Sequence, residues 1–490
     1  MMHSDLRHNR HSRTNPRCWR RKLCLAVALL AMLGLAPISS YAQQASNSWS
    51  EPIDATQGST AQMGSFDILL CDPYQNAYLL WAEQANNGAA VYLRTDTNDS
   101  WSAARDVIVT PGAVIFGLAA AIGKPTNTLH LIWADQYLRG SLYYSQVPLA
   151  MAEEPRSWTE PQLLAQNIDW AAIKTDSKGT VHVVYGSTDD SGVEHTIYHI
   201  ESADNGKTWS EPNVVYSVIS ALPALIRPEL AIDGRDRLHV GVSLNSYEYG
   251  AYSEVGYIRS EDGGQTWSPY RQIQNKGSTF QGVAWIAPYA FGDDEIHLTW
   301  HDPRRMHTWS TDGGKTWHDP QEIMSLPAAF GGRNELTQDS AGVVHAVTAV
   351  GNGVYSASWN GSEWSAPEQI DSRFVDPHGQ TIVACRGNQL HVAYYDRTGE
   401  NKVWYSTRLV DAPPIEQQPV PTPESASADA VQPVATIATS ILTPAPENRL
   451  PINTAPPNTP SPLKVIILPF LAAVVVIIGA AAAYIWKSNR

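Results

Sequence analysis

The sequence contains few cysteines and few basic residues. Four of its 490 residues are Cys, and 34 Lys and Arg face 48 Asp and Glu, giving a net charge of -14. An acidic chain is a poor ligand for nucleic acid or other polyanions, so we expect no nucleic-acid partner. Cys18 and Cys24 lie in the N-terminal leader described next, and the remaining Cys71 and Cys385 are too few for a zinc site. We therefore expect neither a metal nor a cofactor.

Both ends of the chain have the composition of targeting segments. Basic residues from Arg7 to Lys22 precede an apolar run and the small-residue site Ser40-Tyr41-Ala42, which predicts a signal peptide over residues 1–42. Residues 465–486 carry no charge and are long enough, at about 33 Å of helix, to cross a bilayer. We expect a transmembrane helix over 463–486 and a cytoplasmic tail over 487–490. Residues 411–462, rich in Pro, Ala, Thr and Ser, predict a disordered stalk. The chain is thus expected in the cell membrane as a single-pass protein, with residues 43–410 outside.

An exported protein has its cysteines in an oxidising compartment, which favours a disulfide between Cys71 and Cys385. Both lie near the end of a predicted first strand, one in the first repeat unit and one in the last. Two buried free thiols are the alternative.

Aromatic and turn-forming residues are abundant instead, with 17 Trp, 21 Tyr, 33 Gly and 33 Pro. An eight-residue frame, Ser-x-Asp-x-Gly-x-Thr-Trp, occurs three times. Its Asp can accept hydrogen bonds from the turn, its Gly can take positive φ, and its Trp can pack one sheet against the next. We expect these residues to be structural, since catalytic groups seldom occur in identical copies. The Asp and Trp of the three copies are Asp204 and Trp209, Asp262 and Trp267, and Asp312 and Trp317.

This frame resembles the Asp-box, or bacterial neuraminidase repeat, of the sialidase-like β-propellers. The resemblance implies an all-β propeller of four-stranded blades. A longer unit of about fifty residues surrounds the frame and occurs seven times if Trp49-Ser50-Glu51-Pro52 completes the last copy. Seven blades, closed by an N-terminal strand in the last blade, are therefore favoured. Six blades, the number in sialidase catalytic domains, are the alternative.

Six of the seven units place a histidine at the head of the second predicted strand. Because these residues lie in different blades at one equivalent position, we expect a repeated packing or hydrogen-bonding role rather than a shared metal site. They are His130, His182, His239, His297, His345 and His391.

The resemblance also implies where chemistry would lie. The Asp boxes occupy one face of a propeller, and the opposite face is built from the loops that join blades and the loops between second and third strands. A sialidase needs three arginines for the substrate carboxylate, a Tyr activated by a Glu, and an Asp as acid/base. The matching candidates are Arg227, Arg304 and Arg333, with Tyr247 or Tyr249, Glu229 or Glu335, and Asp135 or Asp302.

One departure from the sialidase pattern bears on activity. The family places its first arginine near the start of the domain, whereas residues 43–93 contain none. Three functions stay open: a propeller that recognises glycans or another extracellular ligand, an exo-glycosidase of sialidase type or one using two carboxylates, and a scaffold for protein partners. Aromatic, carboxylate and guanidinium side chains around a channel mouth favour a sugar.

Overall fold

The computed structural model describes residues 48–57, 68–85, 88–97, 100–111, 114–136, 139–189, 191–219, 224–246, 253–277, 284–302, 304–326, 333–350, 352–373, 375–396 and 401–422. The predicted signal peptide, the predicted transmembrane helix with its tail, and the candidates Tyr247 and Tyr249 lie outside these residues. Within them, no helix has the length and apolar character needed to cross a membrane.

The described residues form antiparallel strands, with two short 3-10 turns at Leu149–Met151 and Pro155–Ser157. The all-β prediction is confirmed. The first strands are β1 (Ile53–Asp54), β2 (Ile68–Cys71), β3 (Ala77–Ala85), β4 (Gly88–Thr97), β5 (Ser100–Trp101), β6 (Arg105–Pro111), β7 (Phe116–Gly123), β8 (Thr128–Ala134) and β9 (Gly140–Pro148). Next come β10 (Gln162–Thr175), β11 (Val181–Thr188), β12 (Glu194–Ser202), β13 (Asn213–Ile219), β14 (Ala224–Ile232), β15 (Leu238–Ser246), β16 (Ser253–Ser260), β17 (Arg271–Gly277), β18 (Ala284–Phe291) and β19 (Glu295–Asp302). The last are β20 (Arg304–Ser310), β21 (Gln321–Glu322), β22 (Asn334–Gln338), β23 (Val344–Val350), β24 (Gly353–Trp359), β25 (Glu368–Asp371), β26 (Val375–Cys385), β27 (Gln389–Asp396) and β28 (Val403–Leu409).

Among the described residues the strands fall into seven groups, or blades, the number that the repeat count favours. Blade 1 is β2–β6, blade 4 is β14–β17, blade 5 is β18–β21 and blade 6 is β22–β25. Blades 2 and 3 share one long strand: the first half of β10 closes blade 2 beside β9, and its second half opens blade 3 beside β11. Blade 7 contains β26, β27, β28 and the N-terminal β1, which pairs through Ile53 with Tyr405. The predicted closure by an N-terminal strand is therefore present.

The innermost strands of successive blades touch in a closed cycle, β2, β7, β10, β14, β18, β22, β26 and back to β2. They enclose a central channel with a cavity of about 320 Å³. Because the strands alternate in direction, the connections from second to third strand and from blade to blade share one end of the channel, which we call the loop face. The opposite end is the Asp-box face.

Each Asp box joins its blade to the preceding one. Asp312 Oδ1 accepts hydrogen bonds from Lys315 N and Thr316 N at 3.0 and 2.9 Å, and Trp317 stands edge-on to Tyr257 of blade 4 with ring centroids 4.9 Å apart. Gly314 has φ +79°, and a Cβ there would lie 2.0 Å from the Tyr257 hydroxyl. The other two boxes repeat this arrangement, with Trp209 against Tyr144 and Trp267 against His199.

Two features cross the seam between blades 7 and 1 on the Asp-box face. Cys71, at the end of β2, and Cys385, at the end of β26, form a disulfide with Cα atoms 5.6 Å apart. The neighbouring inner strands are close enough because both cysteines lie where the strands leave the channel. The bond links residues separated by 314 positions.

The second feature is residues 411–422, which we call the strap. Ile415 N donates to Arg386 O, Gln418 N donates to Tyr74 O, both at 2.8 Å, and Val420 packs against the core of blades 1 and 2. The prediction that the stalk is disordered from residue 411 is wrong for these twelve residues. Main-chain hydrogen bonds to turns of the propeller order a segment that has too few apolar residues to fold by itself.

Candidate functional site

The repeated register of the inner strands shows which of their side chains share a level in the channel. On the second strand of each blade, the position of the repeated histidine, which is Tyr78 in blade 1, pairs with one residue of the inner strand. These partners are Leu70, Ala121, Lys174, Ala231, Tyr289, Thr337 and Val383. These seven residues form one layer. Glu229 and Glu335 lie two positions earlier on their strands than this layer, so they are about 6.6 Å nearer the loop face. Two residues higher again lie Trp170, Arg227 and Arg333.

In the part of the chain that the structure describes, the charged and aromatic side chains of these layers belong to blades 3 to 6. From the loop face inward, a mouth layer holds Trp170, Arg227, Arg333 and, at an irregularity in β18, Trp285; a middle layer holds Glu229 and Glu335; and a floor layer holds Lys174 and Tyr289. Blades 1, 2 and 7 line the channel with small or uncharged residues such as Ile68, Ala119 and Thr381. The channel therefore has one polar wall and one largely apolar wall.

Arg333 joins the two carboxylates of the middle layer. Its Nη1 atom lies 3.1 Å from Glu229 Oε1, and its Nε atom lies 2.8 Å from Glu335 Oε1. The Trp170 indole donates to Glu229 Oε1 at 3.1 Å. The Tyr289 hydroxyl is 3.0 Å from Glu335 Oε2 and 2.9 Å from Asn334 O. One arginine thus bridges blade 6 to blade 4 across the face of blade 5.

Enclosure by the ring of strands shifts the pKa values of these groups. Burial raises the pKa of Glu229, against the attraction of Arg333, and raises the pKa of Tyr289 well above its ordinary value. Burial lowers the pKa of Lys174, although Glu229 and Glu335 oppose that change. Burial also disfavours the charge of Arg333, but the two carboxylates outweigh it and raise the pKa of the guanidinium. Burial thus disfavours the charged forms of Glu229 and Lys174, whereas the two carboxylates favour the charge of Arg333.

At the mouth, the Arg227 guanidinium packs against two tryptophan rings. Its guanidinium carbon lies 4.2 Å from the ring centre of Trp285 and 5.5 Å from that of Trp170, and the two indoles meet edge-on at 6.0 Å. Arg227 and Trp285 are both partly exposed, and Trp285 has φ 59°, a left-handed conformation that is unusual for a bulky residue. The backbone at this irregularity of β18 presents the indole to the arginine.

The structure brings together some of the predicted site residues and separates others. Arg227, Arg333, Glu229 and Glu335 meet in the channel. Arg304 lies at the turn between β19 and β20, 58% exposed, and its Nη2 atom is 3.5 Å from Asp302 Oδ2. Asp302 in turn accepts from Gln274 of blade 4, on the outer strands rather than the channel wall. The expectation that Arg304 and Asp302 share one site with Arg333 is therefore not met.

Asp135 also has a local role. Its Oδ1 atom accepts from Ser141 N at 2.8 Å across the turn between β8 and β9, so it stabilises that connection. Prediction missed Trp170, Lys174 and Tyr289. A signal was present: polar or aromatic residues at alternate positions of otherwise apolar inner strands, as in Trp170-Ala-Ala-Ile-Lys174.

Comparison with known proteins agrees with the Asp-box pattern. Residues 143–349 match the family model of the BNR repeat-like domain. The resemblance predicted from the Asp boxes is thus confirmed.

Solved structures with a similar fold have low identity to this chain. The polysaccharide lyase Uly1 is 8% identical over 74% of this chain and 99% of that chain, with a TM-score of 0.48. The NanB sialidase from Streptococcus pneumoniae is 12% identical over 73% and 69%, with a TM-score of 0.42. The alpha-L-arabinanase of Penicillium chrysogenum is 12% identical over 60% and 93%, with a TM-score of 0.41. No curated protein matches the chain.

In the six blades that contain it, the repeated histidine is a hydrogen-bonding position. The Nδ1 atom of each histidine faces a side chain of the third strand. The pairs are His130 with Tyr144, His182 with His199, His239 with Tyr257, His297 with His307, His345 with Ser358, and His391 with Tyr405, at 2.6–3.0 Å. The expectation of a repeated hydrogen-bonding role is confirmed.

One of these pairs also has the composition of a metal site. Ligand atoms of His182, His199 and Glu201 lie within 4.8 Å of one another. However, the two imidazole rings are nearly coplanar, with centroids 5.3 Å apart and nitrogens 3.0 Å apart. At that spacing the nitrogens point at each other, as in an N–H···N hydrogen bond, and their lone pairs do not converge on a common metal position. The geometry fits the hydrogen bond that recurs around the ring.

Proposed function

We propose that the protein is an exported, membrane-anchored propeller that recognises glycans at the loop-face end of its central channel. The observation that carries this proposal is the group formed by Arg227 between Trp285 and Trp170. Indole faces stack on the C–H faces of sugars, and a guanidinium donates to hydroxyl or carboxylate oxygens. Below this group, the cavity of about 320 Å³ has room for one sugar-sized unit.

The location of the protein rests on its terminal segments. The leader over residues 1–42 supports export, and the uncharged run from 465 to 486 supports an anchor. A chain ended at Pro462 is expected in the medium as a soluble protein. Recovery of that truncated chain with membranes after a carbonate wash would contradict the anchor.

Binding is tested with a pair of arginine variants. Arg227→Met removes the guanidinium at the mouth, whereas Arg304→Met removes an exposed guanidinium outside the channel. The full chain in detergent, and each variant, is offered a glycan array, and the best glycan is titrated by calorimetry. We expect Arg227→Met to lower affinity at least tenfold and Arg304→Met to leave it unchanged. Equal affinities for the two variants would refute the mouth as the binding site.

A second candidate function, glycoside hydrolysis, is favoured by the middle layer. Glu229 and Glu335 stand at one level on blades 4 and 6, and the pKa of Glu229 is raised by burial, as a general acid requires. The Tyr289–Glu335 contact resembles the Tyr–Glu pair of a sialidase, but burial raises the pKa of Tyr289 and so disfavours a phenolate nucleophile. Two carboxylates are therefore the better catalytic pair.

A turnover assay distinguishes hydrolysis from binding alone. Purified protein is incubated with a fluorogenic sialoside and a set of aryl glycosides, alongside Glu229→Gln. Turnover that disappears in Glu229→Gln would establish the hydrolase, and glycan binding without turnover would establish recognition alone. Neither binding nor turnover would refute both functions and leave a scaffold for protein partners.

A further inference from the structure

Lys174 is a cation at the floor of the channel. It lies on β10, two layers below Trp170, and lines the cavity beside the inner strands of the other blades. Its side chain is exposed to the channel, although the ring of strands surrounds it on every side. Among the described residues, no hydrogen bond or ion pair to its ammonium group is found.

Several other polar groups of the channel wall have partners within the wall. Glu229 and Glu335 share Arg333, the Tyr289 hydroxyl is used by Asn334 and Glu335, and the Gln380 amide donates to Arg333 O. The carboxylates of Glu229 and Glu335 attract the Lys174 ammonium only from the layer above, about 6.6 Å higher along the strands. The ammonium has three donors and no acceptor in contact among the described residues, so it is available to a ligand that brings an acceptor.

The charges also alternate along the axis. Arginine guanidinium groups lie at the mouth, carboxylates in the middle and an ammonium at the floor. Coulomb attraction falls with distance, so a negative group that touches Lys174 gains more than it loses to carboxylates that Arg333 already neutralises in part. A neutral hydroxyl in the same place gains a hydrogen bond without the charge.

We propose that Lys174 determines specificity by binding an anionic substituent, a carboxylate or a sulfate, on the sugar unit that enters the channel. This inference rests on the proposed glycan recognition at the mouth. The sugar unit occupies the cavity below Trp285 and Trp170, and its acidic group meets the ammonium at the floor. Lysine suits this position because a compact ammonium on a flexible stem can meet either a carboxylate or a sulfate.

The test compares sugars that differ in that one group. Glucuronate, glucose 6-sulfate and glucose are titrated into the full chain, into Lys174→Met and into Lys178→Met. Lys178 is an exposed lysine on the Asp-box face that pairs with Asp236 at 3.3 Å, so it controls for loss of a positive charge. We expect at least a tenfold preference for an acidic sugar over glucose in the unaltered protein and in Lys178→Met, and no preference in Lys174→Met.

Each outcome is decisive. An acidic-sugar preference that survives in Lys174→Met overturns the inference, while glucose binding that survives there with the preference lost supports it. A preference for glucuronate alone, or for glucose 6-sulfate alone, identifies the group. If the unaltered protein binds glycans of the array without preferring acidic sugars, this inference fails and the proposed function stands; if it binds no glycan of the array, the proposed function itself fails. Lys174→Arg, which keeps the charge, should retain the preference; should Lys174→Met unfold, Lys174→Gln gives the same comparison.

Discussion

Buried histidines should make the propeller acid-sensitive. Burial lowers the pKa of His130 to about 4, and the pKa values of His199 and His391 to about 3, with His182 and Arg386 adding to the last two shifts. An unfolded chain binds protons at these residues below about pH 6.5. The folded chain binds protons at these residues only about 2.5 to 3.5 pH units lower. The contribution of these histidines to the free energy of unfolding should therefore level off above about pH 7 and fall as the pH decreases from 7 to 5.

The size of the effect follows from the shift. Each histidine that stays neutral in the folded state and titrates near 6.5 in the unfolded state loses about 2 kcal/mol between pH 7 and pH 5. Three such residues lose about 6 kcal/mol, a large part of a typical stability of 5–15 kcal/mol. Glu229 and Asp169 act in the opposite direction, because burial raises their pKa values and the folded state then binds the proton first.

Urea unfolding at pH 5, 6 and 7 measures the slope, and one substitution isolates its cause. His391→Gln removes a residue with 0% exposure whose Nδ1 atom is 2.6 Å from the Tyr405 hydroxyl. The variant should be less stable at pH 7 but should lose about 2 kcal/mol less than the unaltered protein on going to pH 5. His318→Gln, at an exposed histidine, is the control. Identical pH slopes for the unaltered protein and His391→Gln would refute the reasoning.

Three further predictions concern the disulfide that closes the ring, an Asp box and the strap. Replacing Cys71 and Cys385 by Ser should lower the free energy of unfolding by about 3–5 kcal/mol, because the disulfide closes a very long loop; unchanged urea midpoints would contradict this. Asp312→Ala should lower stability by about 1–3 kcal/mol with glycan affinity intact, since the carboxylate only accepts hydrogen bonds within its turn. Gln417→Ala should speed hydrogen exchange in the strap, because the Gln417 amide donates to Asn76 Oδ1 at 2.7 Å and to Asp96 O at 3.1 Å, whereas Ala at the exposed Gln418 should leave exchange unchanged. Equal exchange in the two variants would contradict a role for the Gln417 side chain.

The repeated features of the molecule were predictable from the sequence. The Asp boxes, the histidine pairs and the N-terminal strand of blade 7 each depend on residues a few positions apart, or on one pattern that recurs at a constant spacing. A turn or a strand register fixed by local chemistry is the same in every copy, so repetition in the sequence is repetition in the structure. The all-β fold follows from that repetition.

The composition of the site was decided by tertiary structure. Glu229 and Glu335 lie more than a hundred residues apart, and they meet through Arg333 because the ring places blades 4 and 6 on either side of blade 5. Arg304 has the same side chain as Arg333, yet it lies on an outer turn because it begins a third strand rather than preceding a first. The sequence likewise did not predict that the strap is ordered, because its hydrogen-bond partners are turns of blades 6, 7 and 1. Local sequence specifies each blade, but which side chains face one another across the channel depends on how many blades close the ring and on the level at which each strand enters it.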